Sequence, residues 1–248
     1  MCLNKQTKEN WLFLNDGDHS PTMNMAIDEL LLQEVDRLKT PLLRIYGWDR
    51  PSVSIGYIQK YSAAPEKGYF IVRRPTGGGV VFHDIDQTYT VIVPSGHWIE
   101  KLNRLESYHI FHRVVIKTLA EMGINSSLVE FETESVDRAT MSCFKTPTRY
   151  DVVIKNTDKL KSGKVAGAAQ RRTKYGILHQ GSIVIPEINK KQKVLIENFL
   201  LAFKNEFNIS YVNYILPDNI LEAAEHLAYK KYETEEWNMF RKLPKKDS

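Results

Sequence analysis

Apolar and polar residues recur along this chain with two different periods, and the changes of period divide it into strands and helices. Residues 11 to 15, WLFLN, form a short apolar run that stops at the polar cluster NDGDHSP, as a strand does. From Thr22 the spacing changes. Met23, Ala26, Ile27, Leu30, Leu31 and Val35 fall on one face of a helix, with Thr22, just after Pro21, placed as its N-cap. PLLRIYGW, SVSIGY and YFIVRR then read as strands bounded by Pro, Gly and Asp. GVVFHD and QTYTVIVP follow as a strand pair around a short turn.

A second amphipathic helix spans residues 104 to 122 and is ended by Gly123. Residues 128 to 130 are short and apolar, and residues 132 to 149 are polar and irregular, as an exposed segment would be. Strand patterns return in YDVVI, KVAGAAQ and GILHQGSIVIP, and residues 187 to 241 read as helical with breaks near Asn208 and Pro217. Strands gather in the middle, with helices early, centrally and late. That order predicts an α+β fold, a mixed and largely antiparallel sheet flanked by helices, rather than the strict alternation of a doubly wound fold. The 248 residues are 42% hydrophobic, enough for one domain over residues 1–248 with a helical C-terminal part at about 187–248.

Charge narrows the partners. Thirty-four basic residues face 30 acidic ones, for a net charge of +4. With no basic, aromatic-laced stretch, nucleic acid is not an expected partner; an acidic protein or a phosphate-bearing ligand suits this balance. The only cysteines, Cys2 and Cys143, lie far apart without CxxC spacing, so a reducing, cytoplasmic setting is expected. The N-terminus lacks the apolar core of a signal peptide, and no apolar run reaches the length of a membrane span.

Three segments carry candidate chemistry. In RRPTGGGVVFHD, the glycines Gly77, Gly78 and Gly79 admit backbone angles closed to other residues and let N–H groups converge on a ligand. Arg73 and Arg74 precede them as partners for a phosphate or carboxylate. Taken alone, the run is equally a hairpin turn. In SGKVAGAAQRR, Lys164 opens a strand of small residues, Ala166, Gly167, Ala168 and Ala169. These leave room for a ligand, or for a tightly packed core. In SCFKTPTRYDVV, Cys143 lies near Lys145 and Arg149, cations that favour the reactive thiolate, although a lone cysteine is more commonly an inert hydrophobe. His83 and His179 flank these segments as a possible base or as structural histidines. His109 and His112 share a helix at i, i+3 with no carboxylate pattern beside them, so no metal site is expected.

Taken in order, MNMAIDE, RRPTGGGVVFHD, CFKTPTRYDVV, GKVAGAAQRR and ILHQGSIVI resemble the biotin/lipoate protein ligase and octanoyltransferase superfamily over residues 10 to 186. The resemblance implies the fold of that superfamily's catalytic domain. It also implies attachment of an octanoyl or lipoyl group to one lysine of lipoyl domains, on 2-oxoacid dehydrogenase subunits or the glycine cleavage H protein. By the same resemblance, the RRxxGGG segment and His83 line an acyl and adenylate groove, Lys164 matches a lysine that contacts the activated carbonyl or α-phosphate, and the acyl chain lies against Ala166 to Ala169.

Two chemistries are known in that superfamily. The third glycine and FHD look like the ligases, which use ATP and magnesium to form a lipoyl adenylate. CFKTPTRYD instead matches a C-F-x-x-P-x-x-Y-[DE] segment of octanoyltransferases, at Cys143, Phe144, Pro147, Tyr150 and Asp151. Those enzymes take the acyl group from acyl carrier protein onto the cysteine and need no ATP, although that branch usually has arginine where this chain has Gly79. A ligase has no chemical need of a cysteine at 143, so the transferase is the leading expectation. It carries no tightly bound cofactor and acts as a monomer. Biotin protein ligases fit less well, because their glycine-rich signature differs. A passive lipoate-binding protein would need neither Cys143 nor Lys164.

Overall fold

The computed structural model describes residues 8–65, 67–130, 149–154, 163–185 and 187–243. The chain runs β1 (Glu9–His19), α1 (Pro21–Leu38), β2 (Leu42–Trp48), β3 (Ser52–Ile55), β4 (Phe70–Arg73), β5 (Val81–His83), β6 (Gln87–Pro94), α2 (Arg104–Glu121) and β7 (Ser126–Leu128). It continues through β8 (Val152–Ile154), β9 (Lys164–Thr173), β10 (Gly176–Ile183), α3 (Ile188–Phe207), β11 (Ile209–Asn213), α4 (Asp218–Leu227) and α5 (Glu235–Phe240). Eight strands form one mixed sheet in the order β11-β1-β2-β6-β10-β9-β8-β7, and β4-β3-β5 form a second, smaller one. In the large sheet only the pairs of β1 with β2 and with β11 are parallel. This is the mixed, largely antiparallel α+β arrangement that the sequence pattern implies.

Both faces of the large sheet are covered. Tyr89, Val91 and Val93 of β6 point toward α2 and α3, into a core rich in aromatics such as Trp11, Phe111 and Phe203. Ile92 and Leu178 point the other way, against Met25, Ile27 and Leu31 of α1. β6 and β10 are buried along their whole length, as central strands with helices on both sides must be.

Three local expectations change. The N-cap of α1 is Ser20, whose side chain accepts from the Met23 N–H, and not Thr22. Pro21 then occupies the first turn, where its missing N–H costs nothing. β5 and β6 are not a hairpin: β5 pairs with β3 in the small sheet, whereas β6 lies between β2 and β10. Residues 209–213, inside the stretch read as helical, form β11, which adds to the edge of the large sheet beside β1. Asn208, at φ 50, turns the chain out of α3 and into that strand.

No helix among the described residues is long and apolar enough to cross a membrane.

Candidate active site

The glycine run forms the loop after β4, and the side chain of Arg74 holds it. Its guanidinium donates to the Gly77 carbonyl at 2.6 Å, to the Gly79 carbonyl at 2.7 Å and to the Ser54 carbonyl at 2.8 Å. Gly78 has φ +83, so the turn needs glycine there. Gly56 packs beneath it; a Cβ on Gly56 would lie 2.0 Å from the Gly78 carbonyl oxygen.

The loop is linked to the first helix through the sheet. Thr76 donates to Gln180 Oε1 at 2.6 Å, and Gln180 Nε2 donates to Asp28 Oδ2 at 2.7 Å. Asp28, in the MNMAIDE segment, also accepts from Thr90 at 2.8 Å and from the fully buried Arg44 at 2.7 Å. Arg44 donates to Asp16 as well, so the buried guanidinium is compensated by two carboxylates.

Between the small sheet and the large one lies an apolar pocket with about 430 Å³ of empty space, its open mouth included. Met25, Trp48 and Val81 supply apolar wall, and Gly167, Ala168 and Ala169 leave it wide. His83 lines it too, stacked on Trp48 with ring centroids 3.9 Å apart. Its two nitrogens are engaged, Nε2 with Ser54 Oγ and Nδ1 with Asp86 Oδ2, each at 2.8 Å. Thr88 and Ser182 donate to the same Asp86 oxygen, which fixes the ring in place.

Lys164 sits against the pocket wall at Gly167. Simple alternation along β9 would put Lys164 on the face opposite Gly167. The register of β9 against β8 slips between Val152 and Val153, and the Lys164 side chain lies on the side where a Cβ of Gly167 would project. A Cβ on Gly167 would lie 2.8 Å from Lys164 Nζ. The ammonium donates to Asp151 Oδ2 at 2.7 Å, and both side chains are buried.

The sequence-derived candidates are therefore not all in one place. Arg74, His83, Gly167, Ala168 and Ala169 line the pocket, and Lys164 adjoins it. Ala166 does not; one position before Gly167, it alternates to the opposite face and joins the core beneath α2 and α3. The three glycines are not among the lining residues, although Gly77 has open space where a Cβ would be. Arg73 is turned away altogether. It donates to the carbonyls of Gly56, Tyr57, Gln59 and Asn238 and so joins the glycine loop's neighbourhood to the C-terminal helix α5. His179 lies on the opposite face, against Phe111 and Tyr89. Cys143 lies outside the described residues, and among those described no cluster of side chains could hold a metal ion.

Sequence reasoning missed Trp48, Ser54, Asp86 and Gln180 as site residues and gave Asp151 no role. Asp86, just beyond the FHD motif, is the carboxylate that holds His83. Only the alternation of β10, with Gln180 and Ser182 on one face, hinted at a polar pocket wall.

A model of the lipoyl protein ligase A/B catalytic domain matches residues 20–197. The chain belongs to this family. Its sequence is 32% identical to the octanoyltransferase LipM of Anoxybacillus flavithermus, over 94% of this chain and 99% of that protein. The octanoyltransferase LipM of Bacillus subtilis matches at 32% identity with the same coverage. Among solved structures, lipoate-protein ligase A bound with ATP superposes with a TM-score of 0.71 at 20% identity, covering 94% of this chain and 99% of that one. A bipartite lipoate protein ligase from Thermoplasma acidophilum, studied with its E2 lipoyl domain, gives 0.70 at 21% identity, with 94% and 97% covered. At those identities the structures establish the family's fold. The two LipM relatives, matched almost end to end, point within the family to the octanoyltransferases.

Proposed function

We propose that this member of the lipoyl ligase family transfers an octanoyl group from acyl carrier protein to a lysine of lipoyl domains, by way of a thioester on Cys143. The observation that carries the reading is the Lys164–Asp151 pair set against the open wall at Gly167, beside an apolar pocket. A fatty acyl chain suits the apolar lining, and the ammonium is placed to steady the oxygen of a reacting carbonyl.

In the first step the Cys143 thiolate attacks the carrier thioester, and the carrier thiolate leaves and takes up a proton. In the second, the neutral amine of the acceptor lysine attacks the enzyme thioester. An amide forms, Cys143 leaves as the thiolate, and the amine's proton is lost to solvent. Arg74, through Gly77 and Gly79, holds the loop at the pocket's edge, and His83, fixed by Asp86, shapes the wall. The enzyme acts as a monomer without a tightly bound cofactor.

Intact-mass measurement tests this directly. An apo lipoyl domain incubated with octanoyl carrier protein, without ATP, should gain one octanoyl group, and Cys143→Ala should abolish the gain. A gain that appears only with free lipoate, ATP and magnesium, and survives Cys143→Ala, would make the chain a lipoate–protein ligase instead.

A further inference from the structure

The carboxylate that meets Lys164 comes from an unusual turn. Tyr150, the residue before Asp151, has φ +70, a left-handed conformation that a bulky side chain adopts rarely and that its surroundings must enforce. Two elements hold it. Val129 accepts from the Tyr150 N–H at 2.8 Å, and its own N–H donates to the Asp151 carbonyl at 2.9 Å. From the other side, His112 of α2 donates through Nδ1 to the Tyr150 carbonyl.

His112 has no other polar task among the described residues. It is fully buried, and among the described residues its Nε2 has no hydrogen-bond partner. A carbonyl can only accept, so the proton must sit on Nδ1, and the ring meets those of Tyr108 and His179 in T-shaped contacts. An apolar side chain would fill this site without leaving a buried nitrogen unpaired. The imidazole is accounted for by its one bond.

We infer that His112 is a positioning residue for acyl transfer: by holding the Tyr150 carbonyl it fixes the turn that aims Asp151 at Lys164. The inference rests on the octanoyl-transfer reading for its kinetic consequence, but not for its structural one. Among the described residues His112 is not one of those lining the pocket. Its effect reaches the site through the Tyr150–Asp151 backbone and the 2.7 Å contact to Lys164.

Two substitutions separate positioning from packing. His112→Asn keeps a donor near the place of Nδ1, whereas His112→Phe fills the volume without one; His112→Leu is a second donor-free variant should the phenylalanine not fold. Misplacing a reacting group by about 1 Å costs on the order of 100-fold in rate. The donor-free variant should therefore lose at least about tenfold in kcat, with KM for octanoyl carrier protein changed less than about twofold, and Asn should stay within about threefold of the parent. Crystal structures of both variants give a readout independent of activity: the Lys164–Asp151 contact persists in His112→Asn and is broken in the donor-free protein. Equal kcat values with the contact intact in both would overturn the inference. If the parent transfers no octanoyl group, the functional reading fails by itself and the crystal comparison alone decides, an intact contact in the donor-free variant again overturning the role of His112.

Discussion

Gly167 sets how near the Lys164 ammonium comes to the pocket. A methyl group there would fall 2.7 Å from Lys164 Cε and 2.8 Å from Nζ, but the obstacle is the far end of a flexible side chain. The fold can therefore absorb an alanine, while the ammonium cannot keep its place. Gly167→Ala is expected to reduce octanoyl transfer by at least about tenfold. Its thermal midpoint should move by less than about 3 °C, or roughly 1 kcal/mol. Calorimetry beside a transfer assay checks this, and a large loss of stability with normal turnover would show that the glycine serves packing alone. Gly181 is the contrasting case. A methyl there would lie 2.2 Å from the ring of Tyr89, inside a packed core with nowhere to yield. Sequence alone could mark both as small residues on strands; which one borders a lysine depends on a register slip that no pattern reports.

At the scale of elements, Arg73 ties two distant pieces together. Asn238 accepts from the Arg73 backbone N–H through its side chain and from the guanidinium through its carbonyl, and the Trp237 indole donates to the Arg73 carbonyl. A lysine offers fewer donors in no fixed fork, and the buried carbonyls it fails to reach are left unpaired. Arg73→Lys should therefore lower the unfolding free energy by at least about 2 kcal/mol in urea titration. Unchanged stability would mean that the bonds to α5 are dispensable. The adjacent arginines of the motif thus divide their work, with Arg74 serving the glycine loop and Arg73 the C-terminal clamp. Nothing in the local sequence separates them, because their partners lie at residues 54 to 79 for one and as far as 238 for the other. The same limit explains β11 and β5. ISYVN follows a long amphipathic helix, and only the open edge of β1 makes it a strand. VFH and QTYTVIVP look like a hairpin until β2 and β10 claim both edges of β6. Elements with strong internal periodicity, α1 and α2 above all, were legible from the chain because their signal needs no partner.

Taken as a whole, the molecule carries a built-in sensitivity to acid. Burial holds the His112 and His179 imidazoles toward their neutral forms, His179 strongly so. Above about pH 6.5 both are uncharged whether the chain is folded or not, and they contribute no pH dependence. As the pH falls below that value the unfolded chain binds their protons and the folded chain does not, so folding weakens. The slope can reach about 2.7 kcal/mol per pH unit while both imidazoles stay neutral. Asp16 acts in a separate window. Burial alone would raise its carboxyl, but the bonds from His19 and Arg44 outweigh that and hold it below the ordinary carboxylate range, so its contribution is lost only as the pH falls through that lowered value. Urea titrations should therefore show little change from pH 7.5 to about 6.5 and a loss of stability from there down to about pH 5, and His179→Phe should flatten that loss. A flat profile in the parent would mean that these histidines can be protonated within the fold.

The clamp on Arg73 also orders events in time. The Asn238 side chain and carbonyl that take up Arg73 arrive 165 residues after it. A ribosome makes α5 long after β4, so until then the segment leading into the glycine loop lacks its anchor. A nascent chain halted before Glu235 should leave Arg73 open to arginine-directed chemical labelling, and a chain that includes α5 should protect it. Protection of Arg73 in the halted chain would disprove this order. Anchoring of the glycine loop's neighbourhood is in this sense a signal that α5 has been made and docked, read out by one buried guanidinium.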